Sequence, residues 1–306
     1  MTILHNPKLA ILLLLSFSVL AHASAGKTYV SVNGNDVNAA ASCPATAPCR
    51  SFNAALTVTN PYGEIVAVDS GDYAPVTITQ SVTMKAAPGV DATIVSPWND
   101  GITITIGTND IVVLRGLNVN GIGSWASGIR FNAGGVLDIA NCNITHFGNN
   151  GISVYASGAT VYIKDTETED TFTGIFLQST ASTIHASIDG IRLKHNNYVG
   201  LYAGANSQTT IRNSVVVDSY YGMQVGDYTG ASELNVEDCL IQRANTGIYA
   251  ANSYGGGTAI ARVSHSTIAY NSTGLTSYGA PLLSYGNNRL AGNGTDGSFT
   301  GLISLQ

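Results

Sequence analysis

The sequence predicts an all-β fold: a single-stranded right-handed parallel β-helix with coils of about 25 residues and a short N-terminal capping helix. Three observations predict it. A glycine followed by a large aliphatic recurs along most of the chain. A turn-forming residue recurs in phase with it. The residues between these landmarks alternate apolar and polar, which is the period of strand and not of helix.

The glycine–aliphatic pairs are Gly101-Ile102, Gly128-Ile129, Gly151-Ile152, Gly174-Ile175, Gly200-Leu201, Gly222-Met223, Gly247-Ile248 and Gly274-Leu275, at spacings of 22 to 27 residues. The second pattern is apolar, any residue, turn former, small or apolar, and it begins at Leu114, Ile139, Ile163, Ile188, Ile211, Val236 and Val263. Its turn position holds Gly116, Asn141, Asp165, Gly190, Asn213, Asp238 and His265, residue types that tolerate a left-handed backbone. Each unit should therefore contain three short strands, one sharp bend and two looser turns. A unit of that size cannot close a core alone, but stacked units bury one continuous apolar column. A leucine-rich horseshoe would need a denser leucine pattern, and a propeller needs units of about 40 residues.

In chain order, residues 1–25 read as a secretory signal peptide: Lys8 without an acid, an apolar run from Leu9 to Leu20, then small residues ending at Ala25. Residues 26–60 read as an N-terminal cap. Within it Phe52, Ala55 and Leu56 stand at helical spacing, and Cys43 and Cys49 bracket a short segment and should pair in an oxidising compartment. Residues 61–290 form the β-helix, and 291–306 a C-terminal cap or tail. Cys142 and Cys239 each follow a bend residue, four coils apart. That places them about 19 Å from one another, beyond disulfide reach. They should be free and buried beside Leu117, Thr166, Ile191, Ser214 and Ser266.

The repeat of a glycine-led strand and an Asn or Asp bend resembles the right-handed β-helix repeats of the pectate-lyase-like superfamily. The opening segments YVSVNGND (Tyr29 to Asp36), APCRSFNAA (Ala47 to Ala55) and VDSGDYAPVTITQ (Val68 to Gln80) resemble bacterial secreted β-helix proteins of undefined function. The resemblance implies a secreted or periplasmic protein that binds a polysaccharide, with glycan hydrolysis or lyase chemistry if it is an enzyme. The alternative is a non-catalytic structural or surface-interaction, adhesin-like solenoid.

Enzymes of the superfamily work on the outer face of the strand that follows the glycine. There the outward positions read Thr103, Arg130, Ser153, Phe176, Tyr202, Gln224, Tyr249 and Thr276, with Tyr155 one step along. Arg130, Tyr155, Phe176, Tyr202 and Tyr249 are the expected ligand-binding residues: sugar C–H faces stack on the aromatic rings, and Arg130 is expected to favour an acidic sugar. Aromatic ladders also stabilise sheets for their own sake. Asp170 and Asp218 stand in equivalent turns two coils apart and are the catalytic candidates, at a separation that an inverting carboxylate pair could use. The turn around Asp227 is a further place to look. The paired-aspartate and Arg-Ile-Lys segments of the superfamily's enzymes are not in the sequence. The histidines of the mature chain are scattered, so neither metal nor cofactor is expected. Formal net charge is −6 with 10% charged residues and no basic run, which argues against a nucleic-acid partner. No apolar run after the leader is long enough for membrane insertion. Oligomeric state is not readable. Asn143, Asn271 and Asn293 lie in glycosylation sequons.

Overall fold

A computed structural model describes residues 24–226, 229–252 and 257–304; the leader read over 1–25 lies almost wholly outside them. The chain winds as a parallel β-solenoid with three faces. The first face is a 12-stranded sheet running from Ala25–Val30 to Gly301–Leu302. The second and third faces are joined into one 17-stranded sheet, because Asn143–Val154 and Glu167–Leu177 run through the corner between them.

The two sequence patterns are the inner columns of this solenoid. On the first face Leu114, Ile139, Ile163, Ile188, Ile211, Val236 and Val263 pair in register from coil to coil, and none is more than 1% exposed. On the third face Ile102, Ile129, Ile152, Ile175, Leu201, Met223, Ile248 and Leu275 form a second column. Burying such side chains contributes roughly 1.5–3 kcal/mol each, so the columns dominate stability. The glycines before them are required by close approach. A Cβ on Gly174 would sit 2.6 Å from the Gly200 carbonyl oxygen, and one on Gly200 would sit 2.5 Å from that of Gly222.

The seven bend residues all have positive φ, between 45° and 66°. The next corner is tighter than the looser turn read from the sequence. His146, Asp170, His195, Asp218, Arg243 and Tyr270 also take left-handed backbone, with φ of 50–59°. Arginine and tyrosine carry no sequence signal for that conformation, since their Cβ disfavours it. Just inside this corner stand Asn271 and Asn293. Asn271 is 3% exposed, and its amide donates to the Ile241 carbonyl oxygen and to Asn293 Oδ1. That burial closes the Asn271 sequon to glycosylation in the folded protein.

At the N-terminal end a helix spans Phe52–Leu56 and buries Phe52, Ala55 and Leu56, the three residues whose spacing predicted it. The Ser51 hydroxyl caps it by accepting from Ala54 N–H at 3.1 Å. Asp36 in turn accepts from the Arg50 and Ser51 N–H groups, both at 2.8 Å. Cys43 and Cys49 form a disulfide. Cys142 and Cys239 are free and buried. Burial pushes their thiols up, to about 11 and about 12 respectively. No helix among the described residues is long and apolar enough to cross a membrane.

Candidate functional site

The outward stripe on the third face pairs in register as the alternation requires: Arg130 with Ser153, Ser153 with Phe176, Phe176 with Tyr202, Tyr202 with Gln224 and Gln224 with Tyr249. Its rings pack along the solenoid axis. Tyr155 and Phe176 have centroids 5.6 Å apart, and Phe176 and Tyr202 stack at 4.9 Å. Ser153 is outward in register yet fully buried. The Arg130 guanidinium lies 5.0 Å above the Tyr155 ring, and this arch with Phe176 closes over the small serine.

A second line of rings stands opposite, on the turn that enters the third face. Phe172 stacks on Tyr198 at 5.1 Å, and Tyr198 on Tyr220 at 6.3 Å. Tyr221 meets Tyr198 edge-on at 5.7 Å and reaches Tyr249 at 4.9 Å, so it bridges the two lines. Burial pushes the Tyr221 phenol up, with the neighbouring phenols adding to the shift, and it stays a proton donor at neutral pH.

Between the lines lies an open cleft of about 470 Å³. Tyr155, Phe176, Tyr202 and Tyr249 line it, together with Phe172, Tyr198, Tyr221, Gln224, Asn149 and Asn150. Four of the five ligand residues expected from sequence are thus brought together. Arg130 stands beside the cleft. Its Nε donates to Asn132 Oδ1 at 3.0 Å and lies 3.9 Å from Asp100 Oδ2. Sequence reading missed Phe172, Tyr198 and Tyr221 because they stand at the corner before the glycine, ahead of the outward positions that the period-two pattern picks out. The signal available was an aromatic one or two residues before Gly174, Gly200 and Gly222.

Asp170 and Asp218 do not line the cleft. Both are corner residues in a ladder in which aspartates alternate with histidines and an arginine. Asp170 Oδ2 is 3.5 Å from His146 Nε2, and its Oδ1 is 4.0 Å from His195 Nδ1. His195 Nε2 is 3.3 Å from Asp218 Oδ2, and Asp218 accepts two bonds of 2.7 Å from Arg243. Those bonds hold the Asp218 carboxyl below the usual carboxylate range, with His195 adding to the effect. His195 stands between the two aspartates. Asp227 lies outside the described residues. Among the described residues no cluster of His, Cys, Asp and Glu has the arrangement of a metal site.

Residues 127–297 match the family model described as "Right handed beta helix region". That is more than half of the chain, and the protein belongs to this family. No curated protein matches the chain. Among solved structures it is similar to the pectate lyase Pel9A, with a TM-score of 0.58 and 16% identity over 94% of this chain and 74% of that one. An alginate lyase from a Paenibacillus species gives a TM-score of 0.54 and 14% identity over 88% of this chain and 97% of that one. A tailspike protein of an Escherichia coli bacteriophage gives 0.52 and 11%, over 79% of this chain and 39% of that one. At these identities the likeness is one of fold. The fold they share with this chain is the right-handed parallel β-helix.

Proposed function

We propose that this is an extracytoplasmic, secreted or periplasmic β-helix protein that binds a polysaccharide in the aromatic cleft of its third face. The observation that carries the reading is the cleft itself: two facing lines of rings with amides and phenols between them. Rings accept the C–H faces of sugars, while Asn149, Asn150 and Gln224 offer donors and acceptors to hydroxyls. The leader-like segment and the Cys43–Cys49 bridge support an oxidising compartment. That two of the similar structures are polysaccharide lyases raises the reading by analogy of fold.

Binding is the activity that the lining supports best. The hydrolytic pair expected from the sequence, Asp170 and Asp218, has its oxygens engaged at the corner with His195 and Arg243. A non-catalytic surface-interaction solenoid is the alternative. A glycan array probed with the mature protein decides between them, with the hits assayed for new reducing ends and unsaturated products. Binding that Tyr202→Ala and Tyr249→Ala weaken supports the cleft. Binding to no glycan rejects it.

A further inference from the structure

We infer that the glycan surface continues beyond the cleft along the solenoid axis, onto Trp98 and Trp125, and that it takes a long, electrically neutral polysaccharide chain. The inference rests on reading the cleft as a glycan site. These are the two tryptophans of the sequence, and each is 86% exposed. An indole left that open adds almost nothing to the packing of the fold. Covering it with an apolar sugar face would remove its apolar area from water.

Their place in the coil is the second observation. Trp98 and Trp125 stand three residues before Gly101 and Gly128, in consecutive coils and in the turn that enters the third face. Phe172, Tyr198 and Tyr220 occupy the same turn further along. Ser124 pairs with Phe147 and Phe147 with Thr171, so the residues that follow align as Trp125, then Gly148 with Asn149, then Phe172. At the coil spacing of about 4.8 Å, the file from Trp98 to Tyr220 runs roughly 24 Å. That suits an extended chain of several sugars. Gly148 lets the Trp125 ring lie close over the next coil: a Cβ there would sit 3.2 Å from the ring.

Charge selects the class of chain. No described residue lining the cleft is Lys, Arg, Asp or Glu. Along the path Arg130 is held between the Tyr155 ring and Asp100, two residues from Trp98. A uronate polymer carries a carboxylate on each sugar and would find its charges unanswered. A neutral polymer asks only for ring faces and hydroxyl partners.

The test uses the tryptophans as their own reporters in the intact mature protein. Barley β-glucan, xyloglucan and galactomannan are titrated against polygalacturonate and alginate while tryptophan emission and affinity are followed. A neutral polymer should bind and shift the emission to the blue, and Trp98→Ala/Trp125→Ala should weaken its affinity roughly tenfold with an unchanged melting temperature. The inference is overturned if polygalacturonate or alginate is preferred. It is also overturned if a polymer binds in a Tyr202- and Tyr249-dependent way while emission stays unmoved. If the double variant only dissociates a dimer, the tryptophans serve an interface between copies and the inference falls. Binding to none of the five polymers overturns it together with the cleft reading. The emission measurement needs no substitution, so it stands even where a variant fails to fold.

Discussion

Phe176 and Tyr202, 26 residues apart in sequence, stack with centroids 4.9 Å apart and planes 18° from parallel. The contact exists because Ile175 and Leu201 pair in register beneath them, so the residues that follow must meet on the outer face. The inner column therefore sets the spacing of the outer rings. A ring pair of this kind is worth about 0.5–1.5 kcal/mol beyond its buried area.

Tyr202→Ala and Tyr249→Ala should lower stability by roughly that amount per ring pair lost plus the contribution of the half-buried ring's own apolar area, while weakening glycan binding. Denaturant midpoints and binding isotherms on the same samples check this. A loss of several kcal/mol with binding intact would make the ladder structural.

Ile152→Asp and Ile175→Asp should abolish folding, because each puts a lone carboxylate into a fully buried column. Ser153→Asp should also destabilise, although Ser153 points outward, because the arch of Arg130, Tyr155 and Phe176 covers it. Thr103→Asp, at the equivalent half-buried position two coils earlier, should be tolerated. Circular dichroism and soluble yield report all four. Equal tolerance at Ile175 and Thr103 would reverse inside and outside.

Thiol titration of the unreduced protein should find two free thiols after denaturation and almost none in the native state, since Cys142 and Cys239 are buried and protonated. Their folded values of about 11 and about 12 lie above the unfolded value of about 8.5. Above about pH 9 the unfolded chain releases these protons and the folded chain keeps them, so stability falls as pH rises through that window. Cys142→Ser/Cys239→Ser should flatten the alkaline limb. An unchanged limb would mean that other groups set it.

Asp218 supplies the acid side. Its folded pKa is depressed by the Arg243 bonds. Its stabilisation is therefore present above the unfolded value of about 3.9 and is lost as pH falls through the folded value. Asp218→Asn should be less stable than the parent at neutral pH and lose less on acidification. Parallel stability curves from pH 6 downward would show that the corner ladder contributes nothing measurable.

The sequence by itself determined the winding. Glycine–aliphatic pairs and Asn, Asp or Gly bends recur every coil because close carbonyl approach excludes a Cβ and left-handed backbone excludes most side chains. Those are local demands, and they leave local marks. The capping helix and both fates of the cysteines were readable for the same reason: spacing within one segment, or a count of coils, fixes them. The stripe of Arg130, Phe176, Tyr202 and Tyr249 followed from period-two alternation. Tertiary structure alone decided the rest. It made a second left-handed corner from His146, Asp170, His195, Asp218, Arg243 and Tyr270, where stacking with neighbouring coils overrides backbone preference. It closed Ser153 beneath its neighbours and turned Asp170 and Asp218 into rungs of a corner ladder with His146, His195 and Arg243. It set Phe172, Tyr198 and Tyr221 across from the stripe to make a cleft, because which corner residues face one another depends on how coils stack, and no single coil carries that information.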